Sequence, residues 1–199
     1  MPLRNRIESM IFGRLKARGP AWMVRKLWNR EFAAGAWDYI DRTPGDMIYP
    51  WIERYANGGS ILDLGCGSGN TGNELRADRY RLYLGIDLSD VAVEKARERS
   101  VQSGRGNKNR YVQGDICNYD PQDTFDVILF RESIWYIPRP RLRNVLDAYR
   151  RHLTPSGVLI VRIYDRFQHD HIVRTLKEHC QSLQEYAPTD AKDIVLVLR

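Results

Sequence analysis

Cysteine and histidine are scarce in this sequence, with three of the former (Cys66, Cys117, Cys180) and four of the latter (His152, His169, His171, His179) among 199 residues. An odd cysteine count without CxxC spacing excludes a disulfide scaffold and reads as reduced thiols. Scattered histidines and no evident carboxylate cluster give little support to a metal site. No run approaches the roughly 18 apolar residues of a membrane span, and the first residues lack the uninterrupted apolar stretch of a secretory signal. A cytoplasmic location is therefore expected. Acids are nearly absent at the start: residues 1–30 hold eight Lys or Arg against Glu8 alone, a net +7, leaving the rest near −1 of the total +6. The basic character belongs to this arm, which suits contact with phosphate, an acidic substrate or an anionic membrane surface. A solvated helix face explains the same charge run.

What remains is ordinary globular composition, 43% hydrophobic and 28% charged, enough for one domain and an arm. Apolar residues Ile7, Met10, Ile11 and Leu15, then Trp22, Met23, Leu27 and Trp28, fall at helical intervals, with Gly19-Pro20 separating two helices. The division read from this is a basic helical arm or lid over residues 1–45 and a main domain over 46–199. A third helix is predicted over Asp46–Ala56, capped by Asp46 or Thr43. Short apolar strands then alternate with helical stretches. The strands are Ser60–Leu64, Tyr83–Ile86, Arg110–Gln113, Phe125–Phe130 and Val158–Ile163. The helices are Asn70–Ala77, Ser89–Ser103 and Pro140–Leu153. A helix over Ile172–Cys180 and strands over Leu183–Tyr186 and Asp193–Leu198 end the chain. Apolar strands without clean alternation suit a parallel sheet buried on both faces, and the β-α-β-α order gives an α/β, doubly wound fold.

Ile61-Leu62-Asp63-Leu64-Gly65-Cys66-Gly67-Ser68-Gly69 is an apolar strand ending in a turn with glycine at every second position. Such a turn lets a ligand approach the main chain. In a doubly wound sheet ligands sit beyond the carboxyl ends of the strands, where this chain places Asp63, Asp87, Asp115 and Arg131-Glu132. Asp87 lies 18 residues after Gly69, a spacing that suits an acceptor for ribose hydroxyls; capping the next helix is its structural role. Asp115 suits an adenine amino group with Ile116 against the ring, or a turn-stabilising aspartate.

The ordered set ILDLGCGSG, GIDLS, QGDI, FDVILFRESIWYI and HLTPSGVLIVRIYD resembles the class I S-adenosylmethionine-dependent methyltransferases across residues 46–199. The resemblance implies a Rossmann-like seven-stranded sheet with an antiparallel C-terminal hairpin and an N-terminal helical lid. It also implies S-adenosylmethionine as methyl donor, with S-adenosylhomocysteine as product. By the same resemblance, Asp63 and the backbone of Gly65, Cys66, Gly67 and Gly69 hold the methionine end. Asp87 with Leu88 holds the ribose, Asp115 and Ile116 hold the adenine, and Phe130, Arg131 and Glu132 line the boundary with the acceptor. Gly67-Ser68-Gly69-Asn70-Thr71-Gly72 also satisfies the dinucleotide pattern G-x-G-x-x-G. That rival is outweighed by Asp63 before the turn and by the Asp115 site.

Phe130-Arg131-Glu132-Ser133 replaces the Asn-Pro-Pro-Tyr type of signature used on exocyclic base amines, which argues against a nucleic-acid substrate. The acceptor is expected to be a small molecule or a glycan, methylated on oxygen or nitrogen. Trp37 and Tyr39 in the lid, Trp135 and Tyr136 after the fourth strand and Tyr164 after the fifth are the candidate acceptor contacts; packing of the lid is the alternative for the lid aromatics. His169, His171 and Glu132 are the candidate bases, needed only for a hydroxyl acceptor. Two further readings remain: an RNA- or protein-directed methyltransferase docking through the arm, and an S-adenosylmethionine-binding protein without transfer activity. Peripheral membrane contact through residues 1–30 is a further expectation.

Overall fold

The computed structural model describes residues 19–41 and 43–199. The helix expected over Ile7–Leu15 lies outside them. Pro20 opens the first described helix, α1 (Ala21–Ala33), its carbonyl accepting from the amides of Met23 and Val24. A 3-10 turn at Asp38–Ile40 and a short loop lead to α2 (Tyr49–Ala56). The main body then runs β1 (Ser60–Leu64), α3 (Asn70–Glu74), β2 (Leu82–Asp87), α4 (Asp90–Gln102), β3 (Asn109–Gln113) and β4 (Phe125–Arg131). It continues through α5 (Leu142–Arg150), β5 (Leu153–Ile163), α6 (Asp170–His179), β6 (Ser182–Tyr186) and β7 (Ile194–Leu198).

All seven strands form one sheet in the order β3-β2-β1-β4-β5-β7-β6. β1 to β5 run parallel, whereas β7 is antiparallel to both β5 and β6. This is the expected doubly wound, Rossmann-like α/β sheet with its antiparallel ending. The chain winds outward from β1 to β3, then crosses back to lay β4 on the other side of β1, so the switch point falls between β1 and β4.

The apolar strands are explained by burial on both faces. Leu62, Leu64, Ile128 and Phe130 pack under α5 and α6 with Leu146, Tyr149 and Leu176. Ile61, Val127, Leu129 and Ile160 pack on the opposite face with Ile52 of α2 and Val93 of α4. Successive strand residues point to opposite sides, so a strand between two helical layers needs apolar residues at every position. Ser60 and Asp63 are the exceptions within β1.

Of the boundaries that differ from the sequence expectation, three have a clear local cause. α2 begins at Tyr49, because Asp46 accepts the Ile48 amide at 3.1 Å and pairs with Arg131 instead of capping a helix. α3 stops at Glu74, since Leu75 turns to an extended conformation. β5 begins at Leu153, whose pairing with Phe125 carries the strand through Thr154-Pro155-Ser156-Gly157. α4 matches its expected span, with Ser89 as N-cap accepting the Ala92 amide at 3.1 Å. The three cysteines are free, and no described helix is long and apolar enough to cross a membrane.

Candidate functional site

The glycine turn sits at the switch point. Gly65, Gly67 and Gly69 all have positive φ, at 85°, 54° and 77°, a region where a Cβ is strained. A Cβ on Gly65 would stand 2.5 Å from that of Ser133, so the turn can lie against the end of β4 only without one. A Cβ on Gly67 would project toward Phe32 of α1, 3.6 Å from its ring, into the space between turn and lid.

Asp87 ties that turn to the end of β2: its Oδ2 accepts the Gly67 amide at 2.9 Å and its Oδ1 the Ser89 amide at 2.8 Å. Burial pushes its carboxyl above the ordinary aspartate range, opposed by these amide hydrogen bonds. Asp115 is braced similarly, accepting from the Cys117 amide and the Asn118 side-chain amide, both at 2.8 Å. Its turn-stabilising role is therefore real, and it shares a wall with Ile116. Gly65, Gly67, Asp87, Leu88, Asp115 and Ile116 form one end of a cavity of about 410 Å³, within the range of small-ligand sites.

The roof is α1 and the turn that follows it. Val24, Trp28 and Phe32, four residues apart on one helix face, line the cavity together with Trp37 and Ile40. Four side-chain contacts seat α1 itself on α4 and its N-cap. Arg25 and Asn29 donate to Asp90 at 2.8 and 2.6 Å, Ser89 donates to Asn29 at 2.7 Å, and Lys95 donates to the Phe32 carbonyl at 2.7 Å.

Arg131 and Glu132 form the wall at the end of β4. Arg131 is balanced by Asp46 and hydrogen-bonded to Tyr49, Thr71 and Thr43, so it presents little net positive charge. Glu132 has φ 59°. Its Oε1 accepts from Arg162 at 2.7 Å and its Oε2 from the Tyr164 amide at 3.0 Å. Burial raises its carboxyl to about 7, with the Arg162 charge opposing.

Around the mouth the expected aromatic residues converge. Ring centroids run from Tyr39 to Trp37 (6.0 Å), Trp28 (5.5 Å), Tyr136 (5.1 Å), Trp135 (5.9 Å) and Tyr164 (5.4 Å). Trp37 and Tyr136 reach the cavity wall, whereas Tyr39, Trp135 and Tyr164 lie behind or beside it. Trp37 also donates to Glu31 at 2.9 Å. Thus the lid aromatics both pack and face the cavity.

Several expected positions are corrected. The Phe130 side chain is fully buried against Tyr149 in the core, because alternation turns it away from the face Arg131 occupies. His169 is not in the cavity wall: it stacks on Trp135 at 4.6 Å, and burial lowers its pKa. His171, in the first turn of α6, is also outside the wall. Cys66 is buried against Gly85, and Gly69 packs against Ala96 and Tyr111. Asp63 lies beneath the turn, where Tyr83 donates to its Oδ2; burial raises its carboxyl to about 6 and leaves Oδ1 without a protein partner.

Sequence reasoning missed Val24, Ser133, Cys117, Asn118, Pro138 and Arg141, all of which line the cavity. Val24 was signalled by its four-residue spacing to Trp28 and Phe32. Cys117 and Asn118 were signalled by following Ile116 in the loop beyond β3. Arg141 carries no local signal: it reaches the site by donating to the Cys117 carbonyl and the Asn118 side chain, both at 2.8 Å.

Comparison with known proteins agrees with this geometry. A family model described as a methyltransferase domain matches residues 61–157. The sterol 24-C-methyltransferase of Eremothecium gossypii is 30% identical over 124 residues, covering 62% of this chain and 32% of that protein. The ubiquinone biosynthesis O-methyltransferase of Pseudomonas fluorescens is 27% identical over 118 residues, covering 58% of this chain and 50% of that protein. The chain thus spans a third to a half of the length of these curated relatives. Among solved structures, the N-methyltransferase NodS of Bradyrhizobium japonicum, in complex with S-adenosylhomocysteine, aligns with TM-score 0.70 and 18% identity over 88% of this chain and 97% of that one. The glycopeptide N-methyltransferase MtfA, complexed with sinefungin, aligns with TM-score 0.67 and 14% identity over 79% of this chain and 87% of that one. A switch-point cavity floored by a glycine turn and a matching domain model lead to one conclusion: residues 61–157 form a methyltransferase domain, on a fold shared with S-adenosylmethionine-dependent methyltransferases.

Proposed function

We propose that the protein methylates a hydroxyl or amine of a small molecule or glycan with S-adenosylmethionine. The observation that carries this reading is a single cavity that joins the glycine turn, Asp87 and Asp115 at one end to Glu132 and an aromatic roof at the other.

The residues present fit the donor. Gly67 presents bare backbone toward the lid, Asp87 and Asp115 offer acceptors at two successive strand ends, and Asp63 holds an unsatisfied oxygen beneath the turn. When bound, S-adenosylmethionine supplies a methyl group already activated on a cationic sulfur. Asp87 takes the ribose hydroxyls, with lone pairs beyond those its two amides use. Ile116 packs on the adenine, Asp115 accepts from its amino group, and the turn backbone carries the methionine end. Because Asp46 neutralises Arg131, the β4 wall does not repel a cation.

Trp37, Trp28 and Tyr136 orient the acceptor by ring contact, and α1 keeps water out. Glu132 takes up the acceptor proton. Its two hydrogen bonds leave further acceptor sites on the carboxylate, and a carboxyl near 7 is matched to proton transfer at working pH. The names of the sterol and ubiquinone relatives support a small-molecule acceptor.

Calorimetric titration with S-adenosylmethionine, S-adenosylhomocysteine and NADH tests the donor assignment. Binding of the two adenosyl ligands without NADH is expected. Asp87→Ala should weaken that binding by roughly 1–3 kcal/mol, about 5- to 150-fold, through loss of a buried acceptor. NADH binding, or unchanged affinity in the variant, would refute the assignment.

A further inference from the structure

The inner face of α1 roofs the cavity, but its outer face has no role there. Trp22, Lys26 and Arg30 are spaced four apart and exposed on that outer side. Trp22 is 61% exposed, an unusual setting for so large an apolar side chain. Neighbouring Arg25 is paired with Asp90. Lys26 and Arg30, in contrast, have no ion pair among the described residues, although like charges four apart on a helix repel. The excess extends upstream in sequence, where Arg4, Arg6, Arg14, Lys16 and Arg18 face Glu8 alone. With the remainder of the chain near −1, nothing in the overall balance offsets this concentration of charge.

We propose that the outer face of α1, in a chain whose positive charge is concentrated in residues 1–30, docks the protein on an anionic lipid bilayer. Cations near such a surface gain attraction from its negative potential, and an exposed tryptophan beside them belongs at the headgroup level, where its ring is buried and its N–H stays wet. RNA is the competing polyanion. It is the poorer fit because the Lys26 ammonium already sits over the Trp22 ring, 5.8 Å from its centroid, on a face a base would need for stacking. The docking uses the outer face only, so it stands independently of what the cavity methylates. Its consequence is that the roof of the cavity faces the membrane.

Cosedimentation of the full chain with vesicles of phosphatidylcholine alone, or mixed with phosphatidylglycerol, tests this. Binding to the mixed vesicles only, released by salt, is expected. Lys26→Gln with Arg30→Gln should weaken it about 25-fold, since each cation contributes roughly fivefold. Trp22→Phe should remove a blue shift of tryptophan emission seen on binding. S-adenosylhomocysteine titration of the variants, whose altered residues lie outside the cavity wall, confirms that they are folded. For the unaltered chain, headgroup and salt dependence decide the question without any variant. Failure to bind mixed vesicles, equal binding to neutral vesicles, or displacement from mixed vesicles by polyuridylate at equal charge would overturn the proposal, the last in favour of nucleic-acid docking.

Discussion

Glu132 is a charged residue in a backbone conformation that suits glycine or asparagine, with φ 59°. A non-glycine residue held there costs about 1–2 kcal/mol, and here the cost is offset where the carboxylate meets Arg162 and the Tyr164 amide. Burial dominates its ionisation, lifting it to about 7. The sign follows: the deprotonated base is lost below that value, so methylation of a hydroxyl acceptor should fall as pH drops through about 7. Carboxyl-¹³C glutamate labelling should show one resonance titrating near 7 that vanishes in Glu132→Gln, while affinity for S-adenosylhomocysteine is retained. A Glu132 resonance titrating near 4.5, the ordinary glutamate value, would exclude it as a base matched to neutral pH. At this scale sequence reading placed Asp87 and Asp115 at strand ends that line the cavity, because strand ends are legible from apolar runs. It failed for His169, because only packing shows that the ring lies on Trp135 and outside the cavity wall.

The lid behaves as an element whose hold is polar. Arg25 and Asn29 meet on Asp90, whose carboxyl the Arg25 hydrogen bond holds down to about 2. Exposed pairs of this kind contribute roughly 0.2–1 kcal/mol, too little to govern folding but enough to bias a lid. Asp90→Ala should therefore lower global stability by less than about 1 kcal/mol while speeding proteolytic cleavage within residues 20–45. S-adenosylhomocysteine should slow that cleavage. Cleavage at the unaltered rate in the variant would show that apolar packing of Val24, Trp28 and Phe32 alone seats α1. The helix itself was legible from its three- and four-residue apolar spacing. The start of β5 was not, because Thr154-Pro155-Ser156-Gly157 has the composition of a turn and becomes strand only through pairing of Leu153 with Phe125.

For the molecule as a whole, the cavity lies between the sheet end and the lid, so a ligand there touches both and binds the native state alone. Saturation with S-adenosylhomocysteine at 100 times its Kd should stabilise the fold by about 2.7 kcal/mol. For a chain of 199 residues that is a rise in Tm of roughly 5–10 °C, measurable by scanning calorimetry. NADH should leave Tm unchanged. A shift with NADH and none with the adenosyl ligand would contradict the family's donor at this site.

The sequence by itself determined the doubly wound sheet, the glycine turn and the acids at the ends of β2 and β3, because those depend on local periodicity and on residues adjacent along the chain. It also carried the concentration of positive charge in residues 1–30. Tertiary structure alone decided which side chains share a wall. The alternation that places Arg131 on one face of β4 sends Phe130 to the other. Asp46, expected as a cap, is drawn to Arg131, because a cation so nearly buried requires a counter-charge. Arg141 reaches the Asp115–Asn118 end of the cavity only because the loop after β4 folds back onto the loop after β3. These outcomes depend on contacts between segments distant in sequence, which no local pattern encodes.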